Sequence, residues 1–212
     1  MNASESTFIM NKLQRLRLIA IWKSDLHRHM QGKSDLRTSL KAYRLLPGFR
    51  FLVWLRLAAS TQKSVGLWSF VHRVARIGHK HYLYKYGISI PYPTKIGSGF
   101  YIGHFGGIVV NEAAEIGRNC NISHGVTIGQ LNRGERKGTP KIGDEVYIGP
   151  GAKIIGAIRI GNGCAIGANA VVTKDLPDKA VAVGIPARII SYAGAEGYVE
   201  YCDYPPIEAG KL

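Results

Sequence analysis

His104 lies in "GFYIGHFGGIVV" (residues 99–110) and His124 in "NISHGVTIGQ" (residues 121–130), each two residues after an isoleucine. A neutral imidazole is well suited to take a proton near working pH, so activation of a hydroxyl is the first chemistry to weigh. The two histidines are 20 residues apart. If the chain coils with a period of about 18, they occupy equivalent corners of adjacent coils, about 4.8 Å apart at strand spacing. Two rings that close disfavour double protonation, which keeps one of them neutral and basic. The pattern predicts His104 as the base with His124 as its neighbour. A zinc site is the competing chemistry. In its three-histidine form it lacks a third ligand, since no histidine follows residue 124, and no metal is expected. For His124, plain packing or water binding is the bland alternative.

The elements that hold these corners are announced by a change of period. From residue 90 onward isoleucines fall at 90, 96, 102 and 108, then at 116, 122 and 128, then at 142, 148, 154, 160 and 166, with Val172 closing the series. A period of six fits neither the 3.6 of a helix nor simple strand alternation. It fits hexapeptide repeats wound as a parallel β-helix, with the isoleucines filling a prism. Two breaks stand out: a step of eight between Ile108 and Ile116, and the glycine-rich, basic stretch "GQLNRGERKGTPK" at 129–141. A long loop extruded from an otherwise regular coil is more often functional than ornamental. Cys120 and Cys164 fall four residues after repeat isoleucines, where Val126 and Ala170 also fall. They read as small buried fillers, and with Cys202 they form no metal spacing or disulfide framework.

Upstream, residues 1–87 read as basic and helical. "SDLRTSLKAYRLL" opens with a cap at Ser34 and spaces Leu36, Leu40, Tyr43 and Leu46 three to four apart; Pro47 starts a second helix, and "SVGLWSFVHRVARIGHKHYLYKYG" ends a third on glycine. Residues 1–90 carry 16 Lys and Arg against 3 Asp and Glu, while residues 91–212 carry 12 against 11. Such a half attracts an acidic partner or serves only solubility. No nucleic-acid signature is present, and nucleic acid is not expected. Interleaved arginines and aromatics suit peripheral contact with an anionic membrane. No uncharged apolar run approaches the roughly 20 residues of a membrane span, and the N-terminus lacks signal-peptide order. A cytoplasmic protein, peripheral at the inner face of the membrane at most, is expected.

The stretch from "IGSGFYIGHFGGIVVNEAAEIGRNCNISHGVTIGQ" to "VGIPARII" resembles the serine acetyltransferase branch of the hexapeptide acyltransferases over residues 88–190. The resemblance implies a mainly β protein: a left-handed parallel β-helix over 88–190 with a protruding loop at 129–141, an α-helical region at 1–87 before it and a tail at 191–212 after it. It also implies an acyltransferase that uses acetyl-CoA, a homotrimer with sites between neighbouring prisms, and His104 in the place of the catalytic histidine. By the same resemblance Gly151, Ala152 and Lys153 of "GPGAK", with Gly167 and Ala168 of "GANAVV", line the acetyl-CoA arm, Lys174 and Arg188 meet its phosphates, and "GPGAK" amides steady the oxyanion.

Departures from the pattern bear on the acceptor. Ser89 stands where the family has the aspartate paired with the catalytic histidine, Pro91 where it has a second histidine, and Gly103 where it has an aspartate that reads serine. Gly138 and Thr139 replace an Arg-His pair in the loop. "LLPGFRFLVWLRLA" (45–58) also resembles the leader of exopolysaccharide acetyltransferases. A sugar hydroxyl, on a polysaccharide or its precursor, is therefore the expected acceptor. Serine O-acetylation is the alternative, and a non-catalytic β-helical scaffold the third reading.

Overall fold

A computed structural model describes residues 3–205, with side-chain surroundings from residue 15 onward; residues 206–212, the end of the expected tail, lie outside the described residues. Four helices come first: α1 Ala3–His29, α2 Leu36–Leu45, α3 Pro47–Thr61 and α4 Leu67–Tyr86. The cap of α2 is Asp35 rather than Ser34, because only from Asp35 does a side-chain oxygen reach the third amide of the helix, that of Thr38, at 2.9 Å. Pro47 occupies the first turn of α3, where its missing N–H costs nothing. Gly87 ends α4 in the left-handed conformation at φ 61°. The apolar spacing of α2 faces the core only in its second half: Leu36 and Leu40 are exposed, while Tyr43 and Leu46 pack against the small cluster of Leu26, Ala42 and Phe49.

Short strands then wind the coil: β1 Ile88–Ser89, β2 Lys95–Ile96, β3 Tyr101–Ile102, β4 Ile108–Val110, β5 Glu115–Ile116, β6 Asn121–Ile122, β7 Thr127–Gly129, β8 Lys141–Ile142, β9 Tyr147–Ile148, β10 Lys153–Ile155, β11 Arg159–Ile160, β12 Ala165–Ile166, β13 Val171–Val172, β14 Val181–Val183 and β15 Arg188–Ser191. They form three sheets, ordered β1-β4-β7-β10-β13, β2-β5-β8-β11 and β3-β6-β9-β12-β14-β15, parallel except for β15. Each sheet is one side of a prism. Ile102, Ile122, Ile148 and Ile166 stack in register and are buried, and Cys120 and Cys164 are fully buried among such columns. Burial holds the Cys120 thiol up to about 12, which suits an inert filler.

The register corrects one reading of the repeat. Val110, not Ile108, pairs with Ile128, so the step of eight runs from Ile102 to Val110, and Ile108 stacks on Ile88 one column over. His104 still lies one coil before His124, because Ile102 pairs with Ile122. Gly107, however, already faces Gly125. The two extra residues are therefore Phe105 and Gly106, immediately after His104.

A prism has two open ends, where backbone N–H and C=O groups lack a neighbouring coil. At the first end the helices supply polar side chains. Asp25 accepts from the Phe100 N–H at 2.8 Å and the Ser24 hydroxyl from the Gly99 N–H at 3.0 Å. Arg56 donates to the carbonyls of Ile96 and Gly97, each at 2.6 Å, and Arg28 to those of Gly99 and Asn119 at 3.0 and 2.8 Å. At the other end "VGIPARII" turns back, and β15 closes the sheet by pairing antiparallel with β14. The tail then returns along the prism: Tyr198 stacks on Tyr147 with ring centroids 4.4 Å apart, and Asp203 meets His27 at 2.9 Å.

Candidate active site

His104 and His124 project from the corner between the β3-β6-β9 side and the β4-β7-β10 side, both exposed. Their ring centroids are 6.1 Å apart and their planes cross at 84°, an edge-to-face pair. The stacking expected from a 20-residue interval is thus present. Two residues after the next isoleucines in the same column stand Pro150 and Ala168, so the imidazole ladder stops after His124. Among the described residues no group of three His, Cys, Asp or Glu side chains is placed to hold a metal ion.

The corner is held from both sides. Below His124, the Gly151 N–H donates to the His124 carbonyl at 2.9 Å and the Lys153 ammonium donates to the Gly125 carbonyl. Beneath the strand that leads to His104, the Ile102 N–H donates to Nε2 of His29 at 3.3 Å, while Nδ1 of His29 donates to the Asp25 carbonyl at 2.7 Å. Burial between Tyr101 and Phe49 holds His29 down at about 4, so it is a neutral strut. The Phe105-Gly106 insertion puts the Phe105 ring 5.3 Å from that of Tyr86 and leaves it 48% exposed beside His104. The sequence pattern carried no sign of this aromatic face, because the isoleucine spacing assigned the extra residues to the next side of the prism.

The other expected site residues are distributed along the coil. Gly151 and Lys153 hold the His124 corner, while Ala152 is fully buried and turns its methyl into the prism. Ala168 is exposed in the corner column of the histidines, and Gly167 lies against Val183, where an added Cβ would come within 2.7 Å of a methyl. Lys174 and Arg188 are exposed on the last coils, and Arg188 donates to the Ala187 carbonyl. One expectation fails. Every amide of "GPGAK" is spent within the chain: Gly149 on Ile166, Gly151 on His124, Ala152 on Gly149 and Lys153 on Ala170, while Pro150 has none. Those donors cannot also turn to an oxyanion. Gly106 and Gly107, with φ +106° and +65°, have N–H groups with no acceptor among the described residues, on the His104 corner itself. Ser89 is exposed on β1 beside Val109, and among the described residues no carboxylate pairs with either imidazole.

Comparison with known proteins bears on this geometry. The family model described as "Bacterial transferase hexapeptide (six repeats)" matches residues 139–174. A serine acetyltransferase of Helicobacter pylori strain J99 is 37% identical over 166 residues, 78% of this chain and 94% of that protein. One from Mycobacterium tuberculosis is 45% identical over 104 residues, covering 49% of this chain and 45% of the relative. The crystal structure of Neisseria gonorrhoeae serine acetyltransferase in complex with serine superposes with a TM-score of 0.67 at 28% identity, over 87% of this chain and 74% of that one. The likeness gives the coil its hand, a left-handed β-helix. Identity that runs through helices and prism along nearly the whole of the Helicobacter relative goes beyond a shared repeat, and it places this chain in the serine acetyltransferase branch of the hexapeptide-repeat transferases, enzymes that take an acetyl group from acetyl-CoA.

Proposed function

We propose that the chain acetylates the hydroxyl of serine, with His104 as general base and His124 as the neighbour that fixes its surroundings. The observation that carries this reading is the stacked imidazole corner, found in a chain 37% identical to a serine acetyltransferase over nearly all of that relative's length. His104 takes the hydroxyl proton as the oxygen attacks the thioester carbonyl, then returns it to the departing thiolate. The products are the acetyl ester and CoA. The N–H groups of Gly106 and Gly107 are the donors for the oxyanion. Gly151 and Ala168 leave room for the extended arm along the prism, and its phosphate partners are Lys174, which follows β13, and Arg188, which opens β15, both on the last coils. Both imidazoles lie exposed on one flank, an arrangement suited to a homotrimer in which a second prism closes each site.

The relatives shift the weight from a sugar hydroxyl to serine, reversing the order suggested by the departures alone. A specific observation keeps the sugar reading in view. Ser89, Gly103, Gly138 and Thr139 put no charge where an amino acid would be read, and the exposed Phe105 ring beside His104 is the kind of apolar surface on which a sugar face packs. Thiol release from acetyl-CoA tests both readings. Turnover is expected with L-serine and to exceed that with free sugars and nucleotide-linked sugars. Turnover on a sugar alone reverses the assignment, and no turnover with any acceptor leaves a scaffold.

A further inference from the structure

Helix α4 presents two stripes at alternating three- and four-residue spacing. One runs through His72, Ala75, His79, Tyr82 and Tyr86 and packs on α3 and the first coil. The other runs through Leu67, Phe70, Val74, Ile77, His81 and Tyr84 and is open: Leu67 and Ile77 are exposed to 77% and 71%, and Phe70 and Tyr84 to 57% and 71%. By helix geometry Arg73 and Lys80 fall on the adjoining flank, and Lys85 falls within the stripe at its C-terminal end; all three are exposed. α2 repeats the composition on a smaller scale, with exposed Leu36, Leu40 and Leu45 set among Arg37, Lys41 and Arg44. From residue 36 to residue 111 the chain has 11 Lys and Arg and not one Asp or Glu.

We infer that the outer face of α4 is a docking surface for an anionic lipid bilayer, with its apolar stripe at the acyl boundary and its cations at the headgroups. Charge decides between occupants. A second copy meeting this face with its own α4 would set Arg73, Lys80 and Lys85 against the same cations with no carboxylate on that helix to answer them. Nucleic acid would satisfy the cations and leave Phe70, Val74 and Ile77 in water. An anionic bilayer answers both. The helix lies in the surface rather than through it, since no helix among the described residues is long and apolar enough to cross. Its C-terminal end adjoins the histidine corner, where Tyr86 packs on Phe105. The inference does not depend on the identity of the acceptor.

The test is co-sedimentation of the full chain with phosphatidylcholine vesicles, with and without phosphatidylglycerol, at low and high salt. Binding is expected only with phosphatidylglycerol, and it should fall as salt screens the cations. Each surface cation contributes about fivefold to partitioning, so Arg73→Gln, Lys80→Gln and Lys85→Gln together should weaken it about a hundredfold. Phe70→Ser with Ile77→Ser should weaken it at least about tenfold. Circular dichroism and acetyl-CoA turnover in the absence of vesicles show that these variants fold. Any of four results overturns the inference: no binding to phosphatidylglycerol vesicles, equal binding to pure phosphatidylcholine, folded variants that bind like the parent, or self-association abolished by Phe70→Ser and Ile77→Ser in place of vesicle binding. Tighter binding to single-stranded DNA, lost with the charges and kept without the apolar residues, overturns it as well.

Discussion

A general base must be free to move its proton, and the surroundings of His104 leave it free. Its ring is exposed, no carboxylate among the described residues pairs with it, and the His124 ring lies 6.1 Å away. Removing the base should cost what such bases supply, so His104→Ala is expected to lower kcat by about 10²–10⁴. Acetyl-CoA affinity, followed by calorimetry, should stay close to that of the parent, because the proposed cofactor contacts lie on later coils. His124→Ala should lower kcat by less, since that ring positions rather than reacts. Near-parental turnover in His104→Ala, or a larger loss from His124→Ala, would reassign the base. This pair was legible in the residues because Ile102 and Ile122 mark the same position in successive coils. The insertion after His104 was not legible. Ile108 imitates a repeat position while Val110 actually fills it, so spacing alone puts the two extra residues on the wrong side of the prism.

At the scale of the element, α1 matters more than its composition suggested. Ser24, Asp25, Arg28 and His29 look like the solvated face of a basic helix, and nothing local distinguishes them from one. They are drawn inward because the first coil has unpaired backbone groups that only polar side chains satisfy, a tertiary demand that local pattern does not carry. Burial raises the Asp25 carboxyl, which works against acid destabilisation; the group of the set that favours it is His29. Its two bonds require an Nδ1–H donor and an Nε2 acceptor, hence a neutral ring, and burial holds it at about 4. In the unfolded chain the ring titrates near 6.5. Between those values the unfolded state binds more protons than the folded one, so stability falls as pH falls through the window, by up to about 3 kcal/mol. Burial lowers His79 in the same direction, which adds to the effect. Melting temperature should therefore drop from neutral pH toward pH values near 4. In His29→Gln, whose amide oxygen can accept the Ile102 N–H, the drop should be shallower. An unchanged slope in that variant would assign the acid sensitivity elsewhere.

The whole molecule is a column whose middle is self-supporting and whose ends are not. Interior coils satisfy their backbone against the coils above and below, so the stacked isoleucines need only fill the prism. The last coil is closed by its own chain through β15, but the first depends on helices far away in sequence, and a buried ion pair carries a central part of that dependence. Asp25 receives Nε and Nη2 of Arg56 at 2.9 and 3.2 Å, with side-chain exposures of 0% and 7%, and together they bind Phe100, Ile96 and Gly97. Removing either partner strands the other charge in the interior, which typically costs 3–5 kcal/mol. Asp25→Ala and Arg56→Ala should each lower stability to urea by about that much, and the double variant should cost clearly less than the two single losses combined. Strict additivity would mean that the two residues serve the coil independently. Because the segment they secure, from the end of β2 at Ile96 to the end of β3 at Ile102, stops two residues before His104, loosening the clamp should also reach the chemistry. Turnover of the Asp25→Ala enzyme is expected to fall at urea concentrations where its far-ultraviolet circular dichroism is still that of the folded coil. If activity and fold are instead lost together, the first coil and the rest of the prism unfold as one unit, and the helical cap acts on the site only through global stability.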